Sequence, residues 1–388
     1  MTVAAREIDA SFDVPYRHAL HVARGVFDPG NPTLAGVLEP TTSEGRARVF
    51  ACVDAGFFDA NADLPQALGD WLTEYADRVE LAGEPLVLPG GEASKNEPEV
   101  IEQLVAGFDD AKLCRRSYVI AIGGGAVLDA AGYAASLFHR GVRLVRIPTT
   151  TLAQADSAVG VKNAVNARGK KNLLGTFAVP SAVINDAYLL QTLADEHWRA
   201  GFAEAVKVAL IKEAELFESI ASSVDAITER DLDACEPIIT RSAKLHLSHI
   251  TDNGDPFEQG ASRPLDFGHW SAHRLEEITG FELTHGDAVA IGIAIDCAYA
   301  TALGLIAPDT ATRTVTLLES LGFDLDHDAL DDADSLLAGI ESFREHVGGD
   351  LALTMPQGLG NMTEVNEFHE NALRDSIAAV RARAWVTA

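Results

Sequence analysis

Positive charge is what this 388-residue sequence has least of: 30 Lys and Arg stand against 58 Asp and Glu, for a formal net charge of −28. Nucleic acids and anionic membranes are polyanions, so neither is an expected partner. Lys is scarce beside Arg, a balance that suits a saline interior or a GC-rich source. There are only four cysteines, Cys52, Cys114, Cys235 and Cys297, and none forms a CxxC pair. That spacing points to buried thiols in a reducing compartment rather than a disulfide framework. No run of about 18 uninterrupted apolar residues occurs, which argues against a membrane-spanning helix. Met1–Asp13 has no long apolar run either, so no signal peptide is read there and the expected location is the cytoplasm. Internal repeats and low-complexity segments are also missing.

What is present is ample apolar material, 47% of the residues, over a length that suits two domains. The first half alternates strand and helix patterns. Arg48–Asp54, Leu86–Leu88, Tyr118–Ile122 and Val142–Ile147 read as strands, and Pro65–Tyr75, Glu97–Asp109 and Ala126–Phe138 read as helices. YVIAI at 118–122 is continuously apolar, as a strand buried on both faces must be. This predicts an α/β domain over residues 1–190, with a Rossmann-like parallel sheet. From about Leu190 the pattern turns helical: Asp195–Ser219, Asp231–Ile250, His269–Thr279, Asp287–Gly304 and Pro308–Leu321. Residues 191–388 are therefore expected to form an all-α domain, with the active site in the cleft between the halves.

Three places carry chemistry. Gly123-Gly124-Gly125 follows the 118–122 strand and opens a helix, where backbone N–H groups can approach a pyrophosphate; tight strand–helix packing is the plainer reading of such a turn. Asp54, ending an earlier strand, suits ribose hydroxyls or an ordinary helix cap. Pro148–Asn172 is dense in polar groups, with Asp156, Lys162, Lys171 and Asn172 suited to a polyhydroxylated, phosphorylated ligand. Finally, Glu204 lies three residues before Lys207 in a helical segment, His269 and His273 share a helix face, and His285 opens the next helix. Two His and a Glu would leave a metal with an open position; His269 and His273 could both be ligands, or one a ligand and the other a base.

These motifs together resemble dehydroquinate synthase and the related sugar phosphate cyclases, from about Val49 to Gly360. The matching segments are GGEASK at Gly90–Lys95, GGGAVLDAAG at Gly123–Gly132, FHRGV, IPTTTLAQADSAVGVK, GKKN, GFAEAVK, RPLDFGHWSAH and THGDAV. The resemblance implies NAD contacts at Asp54, Glu92, Lys95, Gly124, Gly125, Asp129, Thr149, Thr150, Lys171 and Thr192. It implies a metal, Zn²⁺ or Co²⁺, on Glu204, His269 and His285. Substrate contacts are implied at Asp156, Lys162, Lys171, Asn172, Lys207, Arg263 and His273, and Arg140 resembles an arginine that reaches a neighbouring subunit, implying a homodimer. The family's chemistry is an internal redox cycle: NAD⁺ oxidises one alcohol, phosphate leaves, the hydride returns, and an aldol reaction closes a carbocycle.

The sequence departs from the family pattern at the substrate end. Asp266 stands where an Asn is expected, and the GGKT element reads Gly160-Val161-Lys162-Asn163. His249–Ser262 lacks the usual acidic run, and the lysine of the preceding helix has no match beyond Lys244, His246 and His249. Phe343–Gly349 (FREHVGG) replaces a lysine-bearing motif, with Arg344 nearby. The pattern is closest to the dehydroquinate synthase-like members of Ebo-type gene clusters. A phosphorylated seven-carbon sugar or sugar acid is the expected substrate. The alternatives are a sedoheptulose 7-phosphate cyclase of the valiolone type, against which Arg263 and His273 weigh, and a metal-dependent alcohol dehydrogenase of the glycerol dehydrogenase type, against which the polar 156–172 run weighs.

Overall fold

The computed structural model describes residues 8–252, 255–259, 264–346 and 351–383. Seven strands form one parallel sheet: β1 (Leu20–Ala23), β2 (Ala47–Asp54), β3 (Val79–Leu81), β4 (Leu86–Leu88), β5 (Tyr118–Gly123), β6 (Arg143–Pro148) and, after the hairpin β7 (Lys162–Ala167) and β8 (Lys170–Phe177), β9 (Ala182–Asp186). The order is β1-β9-β6-β5-β2-β3, and β4 pairs with the second half of β2 where β3 pairs with the first. β5 is buried along its whole length, which explains its uninterrupted apolar sequence.

After β2 the chain moves outward to β3 and β4; after β5 it moves the other way, to β6 and β9. The crevice between the carboxyl ends of β2 and β5 is therefore a topological switch point, where open parallel sheets bind ligands. Asp54 ends β2 there and the three glycines end β5. Gly123 is required: a Cβ would lie 2.9 Å from the Asp54 Cβ.

The second half is helical from Asp195. Helices Asp195–Lys212 and His285–Ala302 are buried nearly all round and form the centre of one large apolar cluster, which includes Phe202, Ile211, Ile291 and Tyr299. Two other apolar clusters fill the two faces of the sheet. One backbone contact fastens the halves together. Thr151, just past β6, accepts from Gly201 N at 3.1 Å and reaches Trp198 O at 2.7 Å; a Cβ on Gly201 would sit 2.3 Å from the Thr151 carbonyl carbon.

The structure differs from the sequence reading in detail. The 195–219 segment is two helices, Asp195–Lys212 and Ala214–Ser222, because Glu213 is extended at φ −158. The polar 148–172 run, to which the sequence assigned no element, is a π-helical turn, Ala153–Ser157, followed by the β7–β8 hairpin. The helical half also carries one antiparallel pair, β10 (Leu353–Pro356) and β11 (Met362–Val365). Among the described residues no helix is long and apolar enough to cross a membrane, and all four cysteines are free.

Candidate active site

One deep cleft runs from the carboxyl ends of the sheet strands to the helical half. At its sheet end, Gly124 and Gly125 open the helix Gly125–Leu137, and Asp54 caps the helix Ala55–Ala60 by accepting from Phe57 N at 3.1 Å. Lys95 is buried, ion-paired to Asp129 at 2.7 Å and hydrogen-bonded to the Asn172 side chain. Thr149 and Thr150 follow β6, and Thr192 accepts from Asn61 at 3.0 Å. All of these residues, with Glu92, line the cleft.

The helical end holds the densest cluster. Glu204 is fully buried on the 195–212 helix. His269 opens the helix His269–Ile278, held there by Gly268 in a left-handed turn (φ +77) whose N–H donates to Asp296 at 2.9 Å. His285 opens the helix His285–Ala302 after the cap residue Thr284. The close pass of that helix over the 195–212 helix, where a Cβ on Gly286 would lie 2.5 Å from the Ala200 Cβ, brings His285 Nε2 to 3.3 Å from Glu204 Oε1. His269 Nε2 is 3.5 Å from the same oxygen. His269 Nδ1 donates to Phe267 O at 3.0 Å and His285 Nδ1 to Glu276 at 3.1 Å, so in the neutral tautomer, to which a bound metal would hold each ring, both Nε2 lone pairs face Glu204. Neither Glu204 oxygen has a hydrogen bond of good geometry among the described residues. A fully buried carboxylate whose Oε1 faces two imidazoles, all ligand atoms within 4.8 Å of one another, is the donor set a divalent metal fits.

Fixed charges surround this set. Lys207 is fully buried, 2.6 Å from Glu204 Oε2 and 3.7 Å from Asp156. Burial opposes its charge, but the two carboxylates win and raise its pKa. Burial likewise opposes ionisation of Glu204, and Lys207 with His269 brings its pKa well down. His285 is held against burial by Glu276 at about 9. His273 goes the other way: burial, then His269 and Lys171, push it well below the ordinary histidine value, so it is a neutral base. Asp156 sits on the π-helical turn and bonds His246 Nδ1 at 2.8 Å. Lys171, from β8, is ion-paired to Glu276 and lies 3.6 Å from Glu92.

The family model described as 3-dehydroquinate synthase N-terminal matches residues 85–200, and the one described as 3-dehydroquinate synthase C-terminal matches residues 201–342. The chain belongs to the 3-dehydroquinate synthase family. A 2-epi-5-epi-valiolone synthase of Streptomyces glaucescens is 34% identical over 357 residues, covering 91% of this chain and 88% of that one. A 3-dehydroquinate synthase of Cereibacter sphaeroides is 36% identical over 300 residues, covering 76% and 80%. Among solved structures, a 2-epi-5-epi-valiolone synthase of Streptomyces hygroscopicus subsp. jinggangensis, with NAD⁺ and Zn²⁺ bound, superposes with a TM-score of 0.87 at 28% identity, covering 97% of this chain and 99% of that one.

Within this member of the dehydroquinate synthase family, most of the expected site residues converge on one cleft. Arg140 does not: it is exposed at the end of the 125–137 helix and does not line this chain's cleft. Arg263 lies outside the described residues. Arg344, expected near the missing lysine, turns to Glu341 on its own helix at 3.4 Å and is not a cleft residue. Lys162 is paired with Glu258 at 2.6 Å. Three participants were not given their roles from sequence. Glu276 has no motif of its own and is found only through its partners; His246, noted in the sequence beside a missing lysine, was not assigned the bond to Asp156 that the structure gives it. The third is Arg146, buried on β6, which donates to Ala158 O, Gly160 O, Lys162 O and Asn163 Oδ1 at 2.8, 2.7, 3.0 and 2.6 Å. It shapes the loop between Asp156 and Lys162, and it gives the departure at Asn163 a structural partner.

Proposed function

We propose that this protein is a sugar phosphate cyclase, a carbon–oxygen lyase that closes a phosphorylated seven-carbon sugar into a carbocycle with loss of inorganic phosphate. The observation that carries this reading is the buried Glu204 carboxylate, whose Oε1 faces His269 and His285 in the same cleft as the Gly124–Gly125 turn and a ring of Lys and Asp side chains. In this reading Glu204, His269 and His285 hold the metal, and Asp54, Glu92, Lys95, Gly124, Gly125, Asp129, Thr149, Thr150, Lys171 and Thr192 hold NAD. Bound there, Zn²⁺ or Co²⁺ supplies a Lewis acid to a secondary alcohol, and NAD⁺ supplies a hydride acceptor restored within each turnover.

The chain's own groups do the rest. Lys207, clamped by Glu204 and Asp156, keeps its charge and presents it to the sugar. Lys162, Lys171, Asn172 and Arg263 hold hydroxyl and phosphate oxygens. His273, neutral and inside the cleft, accepts a proton from the substrate. Arg140, exposed and outside the lining of its own cleft, serves a partner subunit's cleft in a homodimer. The division into domains at residue 190 is supported by the largest apolar cluster, which apart from Ala155 and Leu190 draws on residues beyond 190, and the free thiols fit a cytoplasmic protein.

A specific observation favours a neutral sugar phosphate over a sugar acid. Asp266 lines the cleft near Lys207 and His249, and imidazoles, His246 and His249, line the wall where an ammonium group was expected. By the family resemblance Asp266 stands where an Asn meets the substrate phosphate, and a carboxylate there repels a phosphate dianion, which argues against ordinary dehydroquinate synthase activity. Identity does not decide, since valiolone-type and dehydroquinate-type relatives are 34% and 36% identical. The test is phosphate release from sedoheptulose 7-phosphate and from 3-deoxy-arabino-heptulosonate 7-phosphate, with NADH followed in parallel. Phosphate release without net NADH supports the cyclase; NADH accumulating in step with substrate consumed makes the protein a simple dehydrogenase instead.

A further inference from the structure

Glu276 lies outside every motif, yet it joins two working parts of the cleft. It is on the 269–278 helix, seven residues after His269 and three after His273, so all three face the same way. Its side chain is 3% exposed. One carboxylate oxygen accepts from His285 Nδ1 at 3.1 Å. The other is ion-paired to Lys171, which β8 carries in from the sheet half. A carboxylate this deeply buried must have partners, and both of its oxygens have one.

The two candidate histidine ligands are thus oriented differently. His269 leans on a neutral carbonyl, Phe267 O, whereas His285 leans on an anion. A carboxylate behind an imidazole fixes its tautomer and makes its far nitrogen a stronger donor. That far nitrogen, His285 Nε2, is the one facing Glu204. Glu276, His273 and His285 also lie close enough together to resemble a metal site themselves. Lys171 already neutralises one Glu276 oxygen and His285 occupies the other, so this trio is better suited to orienting a ligand than to holding an ion.

We propose that Glu276 is a positioning residue: it holds His285 in its metal-binding tautomer and ties that ligand, through Lys171, to the hairpin that lines the sugar site. The inference rests on the reading of Glu204, His269 and His285 as metal ligands. The experiment measures Zn²⁺ affinity by chelator competition for the intact chain, Glu276→Ala and Glu276→Gln, with no substrate present. Loss of such an outer partner typically weakens metal binding by about ten- to hundredfold, and that is the expected loss for Glu276→Ala. Glu276→Gln keeps an acceptor for Nδ1 without the charge, so it should recover part of the affinity. Visible absorption of the Co²⁺-loaded proteins should shift in Glu276→Gln, because the ligand field of His285 changes. If Glu276→Ala does not fold, Glu276→Gln, nearly identical in shape, decides the matter on affinity and spectrum. Unchanged affinity and an unchanged Co²⁺ spectrum overturn the role of Glu276. Two metals per chain also overturn it, by making Glu276 a ligand. An unmodified chain that takes up no divalent metal overturns instead the reading of the site itself.

Discussion

Lys207 offers the sharpest test of the charge arrangement. Its ammonium group is fully buried and faces two carboxylates, Glu204 at 2.6 Å and Asp156 at 3.7 Å. Replacing it with Met keeps the length and apolar stem and removes the charge. Breaking a buried pair by deleting one partner costs about 3–5 kcal/mol, because the survivors stay buried and uncompensated. At an effective dielectric constant of about 20, Coulomb attraction is roughly 6 kcal/mol at the Glu204 distance and roughly 4.5 at the Asp156 distance, before desolvation. Glu204 therefore carries somewhat more than half of the loss. A divalent ion on Glu204 supplies the missing positive charge and cancels that share. The metal-free Lys207→Met chain should be about 3–5 kcal/mol less stable than the parent, and the gap should shrink by about 1.8–3 kcal/mol under saturating Zn²⁺. By linkage the variant should bind Zn²⁺ roughly twenty- to 160-fold more tightly. Urea denaturation with EDTA and with Zn²⁺, and a competition titration, measure both quantities. A gap of the same size with and without metal refutes the reasoning.

Three other outcomes follow from the site. His269→Ala should lose bound metal and all turnover, and full metal content in the purified variant, measured by elemental analysis, would show the ligand assignment to be wrong. Asp266→Asn should lower KM for 3-deoxy-arabino-heptulosonate 7-phosphate about ten- to hundredfold, the worth of a charge-assisted contact restored; steady-state kinetics with no such change would falsify the repulsion argument. Burial and then Lys212 hold His249 at about 4, against 6.5 in the unfolded chain. The unfolded chain therefore takes up this proton first, so the stability linked to His249 is complete above about pH 6.5 and is lost as the pH falls toward 4. His249→Gln should flatten that limb of the stability profile between pH 7.5 and 4.5, and a limb as steep as the parent's counts against the placement of His249.

The parts of the fold legible in sequence are those where one physical demand dominates. A strand buried on both faces has to be apolar throughout, so Tyr118–Gly123 was readable, and the glycines after it mark a turn that larger residues cannot make. Spacing put His269 and His273 on one helix face and left the choice of ligand open; Glu204, His269 and His285 were readable as a set only because whole family motifs surround them. The β7–β8 hairpin was hidden by its polarity: its outer strand is largely exposed, so it carries no apolar alternation. Glu276 and Arg146 were hidden for another reason. Each works through partners distant in sequence: His285 and Lys171 for Glu276, and a wrapped loop for Arg146. Arg344 illustrates the opposite error, since proximity in sequence to a missing lysine did not turn its side chain toward the cleft.

The Thr151–Gly201 contact has a bearing on how this enzyme family could change substrates. Thr151 directly follows the two threonines assigned to the nucleotide, and Gly201 lies one helical turn before Glu204. Backbone meets backbone at that point, so the strand end that carries Thr149 and Thr150 and the helix that carries Glu204 are joined directly by the fold. The wall built from Asp266, His246, His249 and the hairpin is joined through side chains instead, His246 to Asp156 and Glu276 to Lys171. Substitutions there can retune which sugar is held, so new specificities would arise by altering one wall of the cleft and inheriting the other intact.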